Sequence, residues 1–369
     1  MKKRADPATL FPILQPGLTG LARLAAQAQH ADDGYLIEFR ALEVRSILNK
    51  SVSRRLPGLA YSINPYRGCE FACRYCYARY THEFLAAKDP PPTPGIPLAA
   101  PQPIDLRSPE AFERLIFLKQ NAAWLLEQEL RHIDPTQQIA LGTATDPYQP
   151  IERRARITRS LLEVFARRSG HRLGIVTKSR LITRDIDLLQ RIAERNTLVL
   201  HLTITTPDAA LARLLEPRAP RPDLRFATVR RLREAGLTTG ILCSPLLPGI
   251  TDTEPALDRM AGLAAQAGAS FFSAQPLFLK PCSRPTYLDF IREHFPALQP
   301  EYARRFATRE FADPAYRSHL AALVRKVRLR HNLGERSRDT LLTLDPGNMH
   351  PPRKPVANIG APIQDKLFA

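Results

Sequence analysis

The stretch Tyr66-Arg67-Gly68-Cys69-Glu70-Phe71-Ala72-Cys73-Arg74-Tyr75-Cys76-Tyr77 holds three of the chain's five cysteines. Thiolates crowded this closely normally hold a metal or a cluster. A [4Fe–4S] cube has four irons, each needing an outer ligand, and cysteine thiolate is the usual one. The spacing C-x3-C-x2-C therefore caps three irons and leaves the fourth open for chemistry. A structural zinc site wants four closed ligands, commonly from two separated cysteine pairs, and no second pair follows. His82, six residues after Cys76, is the alternative fourth ligand for zinc. A disulfide reading is disfavoured, because a chain of 369 residues needs no staple and nothing marks it as secreted.

Working outward, the periodicity alternates between strand and helix. Strands are expected at 59–64, 138–142, 172–177, 198–204, 238–243 and 270–277. Helices are expected at 109–131, 156–168, 185–195, 222–235 and 254–267. Ser108 before Pro109 looks like an N-cap with proline at the first helical position. Strands alternating with helices at this spacing predict an α/β fold, a parallel sheet closing toward a partial (β/α)6 TIM-like barrel. Residues 1–58 read as an N-terminal extension, with strand-like and then helical character over 35–48. Residues 59–284 form the core barrel, and 285–333 two or three C-terminal helices. The proline-dense stretch 88–109 is a loop. The proline-rich end, 334–369, is expected to be a flexible tail.

With Tyr75 as its aromatic, the cysteine run is C-x3-C-x-aromatic-C, which resembles the signature of radical S-adenosylmethionine (radical SAM) enzymes. Its surroundings extend the match. Tyr61-Ser62-Ile63-Asn64-Pro65-Tyr66-Arg67-Gly68-Cys69 before it, and Gly142-Thr143-Ala144-Thr145-Asp146-Pro147-Tyr148-Gln149 after it, look like the spore photoproduct lyase-related, DNA-repair photolyase-like group. The resemblance spans roughly residues 60 to 290. It implies that Cys69, Cys73 and Cys76 carry a [4Fe–4S] cluster and that the open iron binds the amino and carboxylate groups of S-adenosylmethionine. Reductive cleavage then yields a 5′-deoxyadenosyl radical that abstracts hydrogen from a substrate. Such an enzyme draws on an electron donor such as flavodoxin or ferredoxin.

Chemistry in barrels of this type sits at the C-terminal ends of the strands. The matching cofactor-binding positions, besides Tyr75, are Thr143, Thr145 and Asp146 after the second strand, Lys178 after the third, Thr203 and Thr205 along the fourth, and Glu216 beyond it. Period-two alternation puts Thr203 and Thr205 on one side of their strand. Read without the resemblance, Thr145 and Asp146 are equally a turn that caps the next helix, and Lys178 an exposed lysine. In the resembling lyases a hydrogen-donating cysteine stands where this chain has Thr143, and an O–H bond is too strong to replace S–H there. Cys243 and Cys282 are the alternative hydrogen donors; the plainer reading of each is a small buried hydrophobe. His201 reads as a core histidine. The run Arg153–Arg159 is either a solvated helix face or a phosphate-binding ridge. Tyr66, Tyr77 and Tyr148 lie beside the active-site loops, to stack or to pack.

The net charge is +17, from 53 basic and 36 acidic residues. Such a chain is drawn to polyanions, nucleic acid first, although arginine richness also follows from genome base composition. No apolar run long enough for a membrane span occurs, and the basic N-terminus lacks the features of a secretory signal. An oxygen-sensitive cluster and unpaired thiols fit a cytoplasmic location. The expected function is lyase-like or repair-like radical chemistry on DNA or RNA. Two alternatives stand beside it: radical SAM modification of tRNA, protein or a small molecule, and a zinc-stabilised nucleic-acid-binding protein without catalysis.

Overall fold

The computed structural model describes residues 37–51, 59–86 and 104–336. In chain order its strands are β1 (Glu38–Ala41), β2 (Leu48–Lys50), β3 (Leu59–Ile63), β4 (Tyr66–Arg67), β5 (Leu115–Leu118), β6 (Gln138–Leu141), β7 (Arg172–Thr177), β8 (Thr197–Thr203), β9 (Thr239–Leu246) and β10 (Phe272–Pro276). The main sheet runs β10-β9-β8-β7-β6-β3-β2. Every pair from β10 to β3 is parallel, and β2 joins β3 antiparallel. The six expected strands are thus the parallel ones. The sheet stays open between β10 and β2, so the barrel is partial. Helices cover one face of a parallel sheet of this kind, and its strands are buried on both sides. β6, Gln-Ile-Ala-Leu, is accordingly buried at every position, and β8 at all but its first.

The crossover helices follow sequence logic. Helix Ile186–Arg195 buries Leu188, Leu189 and Ile192 on one stripe. Pro222 opens helix Pro222–Glu234, where a missing N–H costs nothing. Asp208 caps helix Ala209–Leu215 through the amides of Ala210 and Leu211, at 2.8 and 3.1 Å.

The expected helix over 109–131 is three pieces: Ala111–Arg114, strand β5 and helix Ala122–Glu129. The run Leu115-Ile116-Phe117-Leu118 is apolar at every step, which suits a strand buried on both faces better than a helix stripe. It is taken up by β1 in parallel and β4 antiparallel. Ser108 caps a turn instead, its hydroxyl accepting from Glu110 N at 3.3 Å. Over 37–50 no helix forms; the chain runs from β1 to β2, and Glu129 takes the amides of Ile47 and Leu48 at 3.0 and 2.8 Å. Residues 1–36, the loop part 87–103 and the tail beyond 336 lie outside the described residues.

C-terminal helices Arg284–His294 and Gln299–Phe306 pack over the cysteine loop. Tyr287, Phe290, Ile291, Tyr302 and Phe306 share one buried cluster with Cys69, Phe71 and Cys73. Helix Pro314–Arg330 closes the β10 side, with Lys326 and Arg330 on Glu254 and Asp258.

Candidate active site

The cysteine loop is shaped from both sides by backbone contacts. Gly68 has φ +88°, and a Cβ there would stand 2.7 Å from Leu115 O and 2.9 Å from Phe112 O. Only glycine fits. Cys69 N donates to Phe112 O (2.9 Å), Arg74 N to Leu215 O (2.9 Å) and Cys76 N to Cys73 O (3.1 Å). Glu70 and Gln149 lock the loop to the segment after β6: Glu70 N donates to Gln149 Oε1 at 2.9 Å, and Glu70 Oε1 accepts from Ile151 N at 2.7 Å. Arg79, buried, pairs with Glu113 at 2.7 Å and also donates to Cys73 O at 3.2 Å.

Cys69, Cys73 and Cys76 then face one cavity of about 320 Å³ at the C-terminal ends of the strands. All three are free thiols. Burial pushes each thiol up, Cys73 to about 12 even with Lys178 beside it. Three thiolates in an apolar wall need a cationic core to stay ionised, and an iron–sulfur cluster provides one. Among the described residues no group of three or more His, Cys, Asp or Glu is set to hold a single metal ion. His82 is turned away: its Nε2 sits 2.9 Å from Leu115 O, and the ring lies between Phe112 and Phe117. His82 is therefore not placed as a fourth zinc ligand, and three free thiols on one cavity are the set that a three-thiol cluster would use.

The rest of the wall comes from strand ends. Thr143, Thr145 and Asp146 line it after β6, Lys178 after β7 and Thr203 at the end of β8. Their hydrogen bonds divide the labour. Thr145 Oγ1 donates to Gly68 O at 2.5 Å, holding the turn before Cys69. Asp146 accepts from Tyr148 N (2.9 Å), Thr177 Oγ1 (2.6 Å) and Lys178 N (2.7 Å). Its carboxylate thus ties the β6 and β7 loops together, so the turn-forming role holds. Asn64 clamps the same loop, accepting from Ala144 N at 2.8 Å and donating to Thr143 Oγ1 at 3.4 Å.

Behind this wall lies a buried charge network. Glu216 pairs with Arg225 at 2.5 Å and sits 4.0 Å from Lys178 Nζ. It accepts from the Tyr75 hydroxyl and from Thr205 Oγ1, the latter at 2.8 Å. Burial alone would raise its pKa; Arg225 and Lys178 overcome that and hold it below the usual carboxylate range. Burial opposes the charge on Lys178 as well, yet Cys73 and Glu216 carry its pKa upward. Arg225 also donates to Thr203 O at 3.1 Å. Thr205 does not join Thr203 on the cavity wall. β8 ends at Thr203, so strand alternation stops there, and the chain turns Thr205 back toward Tyr75 and Glu216. Tyr75 lines the cavity, whereas Thr205 and Glu216 position what does.

The two other cysteines part company. Leu242 and Ser244 of β9 face the main cavity, so Cys243 between them points the other way. It lines a separate cavity of about 210 Å³ and packs in the core, 3.6 Å from Thr205 O. Its expected place at the mouth is corrected by this alternation. Cys282 sits beside the cysteine loop, its Sγ 3.9 Å from Tyr77 O and 3.5 Å from Ser283 Oγ. Ser283 Oγ donates to Cys76 O at 2.6 Å. Tyr77 lines the cavity against Phe278, with ring centroids 5.1 Å apart; Tyr66 and Tyr148 are packed in the core. His201 is fully buried, edge-on to Phe271. Arg159 of the basic run is engaged with Asp185 and Asp187.

Sequence reasoning passed over Asn64, Glu70, Arg79, Gln149, Arg225 and Arg336. Asn64 and Gln149 stood inside the quoted motifs, which was the available signal. Glu70 stood there as well, inside the cysteine run; Arg79, Arg225 and Arg336 become visible only once distant segments meet.

Comparison with known proteins agrees with this geometry. The radical SAM superfamily model matches residues 63–261. This chain belongs to the radical SAM superfamily. It is 31% identical over 325 residues to an uncharacterized protein of Mycobacterium tuberculosis, covering 86% of this chain and 90% of that one. An uncharacterized protein of Methanocaldococcus jannaschii is 27% identical over 218 residues, 59% of this chain and 71% of that one. Among solved structures, a spore photoproduct lyase variant with bound AdoMet and dinucleoside spore photoproduct superimposes with a TM-score of 0.53 at 15% identity. The match covers 86% of this chain and 84% of that one, and shows a shared fold. The radical SAM chain described here is an enzyme of that α/β, partial-barrel type. Among its described residues no helix is long and apolar enough to cross a membrane.

Proposed function

We propose that this radical SAM enzyme holds a [4Fe–4S] cluster on Cys69, Cys73 and Cys76 and acts on a nucleic acid or a nucleotide unit of one. The carrying observation is convergence: three free thiols, Lys178 and the hydroxyl-rich turn 143–145 line one cavity. When bound, the cluster and S-adenosylmethionine supply a carbon-centred radical able to abstract hydrogen. The chain's own residues do the rest. Lys178, kept charged by Glu216 behind it, offers a cation for the cofactor's carboxylate. Thr203 and Thr143 offer hydroxyls to the ribose and ammonium groups. Asp146 holds the two loops that present Lys178 and Thr143 at fixed spacing. Apolar wall residues Leu59, Phe71, Phe112 and Val176 exclude water from a reactive intermediate.

Support for a polyanionic substrate is the +17 charge and the shared fold with a lyase whose structure holds a dinucleoside. Thr143, where the resembling lyases keep a cysteine, favours a reaction that does not end on their thiol-dependent step. Cys282, beside the cysteine loop, is the remaining candidate hydrogen donor, and flavodoxin or ferredoxin is the class of electron donor proposed.

Anaerobic reconstitution with iron and sulfide, followed by optical and EPR spectra, tests the cluster. The expected result is a cubane signal that disappears when all three cysteines become alanine. Dithionite with S-adenosylmethionine should then release 5′-deoxyadenosine. A cubane signal that survives the triple substitution refutes the ligand assignment. Screening UV-irradiated DNA against unirradiated DNA and tRNA under turnover tests the substrate, and no stimulation of cofactor cleavage by any of them refutes the nucleic-acid reading.

A further inference from the structure

Resting on the reading just given, one cation in the cavity is left without a task. Gly334 bridges Phe271 in parallel at the free edge of β10, and Phe272 N donates to Gly334 O at 3.2 Å. The strap can lie this close because position 334 has no side chain; a Cβ would meet Ser270 O at 2.4 Å. The next side chain, Glu335, points outward to Arg328 at 3.0 Å. Alternation then turns Arg336 inward, and it lines the cavity. Its Nε is buried without a hydrogen-bond partner, and no ion pair forms to its guanidinium among the described residues. Burial lowers its pKa to about 10, and no anion opposes that shift. The carboxylate that lines this cavity, Asp146, is already engaged by Thr177 and two backbone amides.

Arg336 is half-buried as a whole, but its Nε is buried and has no partner among the described residues, and such a donor is costly unless an acceptor arrives to meet it. Lys178 is drawn to the cysteine side of the cavity by Glu216 and lies over the Tyr75 ring at 5.8 Å. β7 and β10 are three strand spacings apart, roughly 14 Å along the sheet. The two cations therefore enter the cavity from different walls. The same cavity is also lined by Gln275 and the Tyr77–Phe278 ring pair: an amide suited to a base edge and rings suited to a base face.

We propose that Arg336 is a substrate-binding residue that takes a phosphate of a nucleotide substrate in bidentate fashion, while the cofactor's carboxylate is left to Lys178. The guanidinium fork matches phosphate geometry in a way a lysine does not.

The test uses the full chain, both as purified and anaerobically reconstituted with S-adenosylmethionine, and titrates it with thymidine 5′-monophosphate and with thymidine. The reconstituted wild type should prefer the monophosphate at least tenfold. Arg336→Gln should reduce that preference to within twofold while S-adenosylmethionine affinity and the cluster spectrum stay as in wild type. Arg336→Lys should be intermediate, which a mere packing role would not produce. A wild type that does not distinguish the two probes overturns the proposal, as does an Arg336→Gln protein that keeps the preference or loses affinity for S-adenosylmethionine instead. Failure of the radical SAM reading shows separately, as a missing cluster or missing cofactor binding. In that event the as-purified protein still decides between a phosphate preference that depends on Arg336 and none.

Discussion

Glu216→Gln removes one charge from a deeply buried ionic network and leaves the shape almost unchanged. Both side chains of the Glu216–Arg225 pair are 1% exposed, with Lys178 4.0 Å away on the other flank. Removing one partner of such a pair strands the other charge in low dielectric, at about 3–5 kcal/mol. At about 2 °C per kcal/mol, a value at the lower end because the chain is large, the melting temperature should fall by about 6–10 °C. The assay is thermal unfolding of the wild type, Glu216→Gln, Arg225→Met and the double variant Glu216→Leu/Arg225→Met. The double variant should recover at least half of the loss, since it leaves no unpaired charge at Arg225. The pH dependence has a defined sign. Glu216 is held below the usual carboxylate range in the fold, so its contribution is full above that range and is lost as pH falls through the depressed folded value. The gap between wild type and Glu216→Gln should therefore be flat from pH 6 to 8 and shrink in acid. A Glu216→Gln protein melting within 1 °C of wild type at pH 7 refutes the claim that this charge is balanced by buried partners.

Gly68→Ala should abolish cluster loading, because the Cβ collides with two carbonyl oxygens and the backbone sits at φ +88°; iron content after reconstitution below about a tenth of wild type is the expected reading, at a strain cost of about 1–3 kcal/mol or more. Lys178→Met should weaken S-adenosylmethionine binding about tenfold or more, the loss of one charge-assisted contact worth about 1.5–3 kcal/mol, with the cubane spectrum intact; equilibrium dialysis measures it, and unchanged affinity places the cofactor's carboxylate elsewhere. His82 is kept neutral by burial, its pKa lowered to about 4. The unfolded chain binds a proton there near pH 6.5, so unfolding takes up a proton between those values, and stability falls as pH drops from about 6.5 to 4. His82→Leu should flatten part of that acid decline in the melting temperature; an unaltered slope from pH 7 to 4 contradicts the neutral, buried assignment.

The parallel strands were legible because buried strands of a crossover sheet are apolar runs punctuated by helices, a pattern that survives in one dimension. β5 was not, because its four apolar residues also fit an i, i+3 helix stripe at Leu115 and Leu118. Only the partners β1 and β4, separated from it by dozens of residues, decide for a strand. The site shows the same division. Cys69, Cys73, Cys76, Thr145, Asp146 and Lys178 sit next to strand ends or within short motifs. Thr205 was placed near the cofactor by strand alternation, which ends at Thr203, and Glu216 by the resemblance of its loop; both lie behind the cavity wall, hydrogen-bonded to each other. Their shared partner Arg225 is visible only when its helix folds back on β8. Cys243 needed the actual phase of β9, where Ser244 faces the cavity and its neighbour therefore does not.

That division has a functional meaning. The three cysteines, Asp146, Lys178 and Thr203 of the cavity wall lie inside the 63–261 span that matches the superfamily model. The wall facing them, Gln275, Phe278 and Arg336, comes from β10 and the strap beyond it, outside that span. A fold hosts many functions through the sites grafted on it, so the wall outside the matched span is where this chain's own specificity is to be tested. Arg336, whose buried Nε has no partner among the described residues, and the Tyr77–Phe278 ring pair are therefore the first positions to vary when substrates are screened.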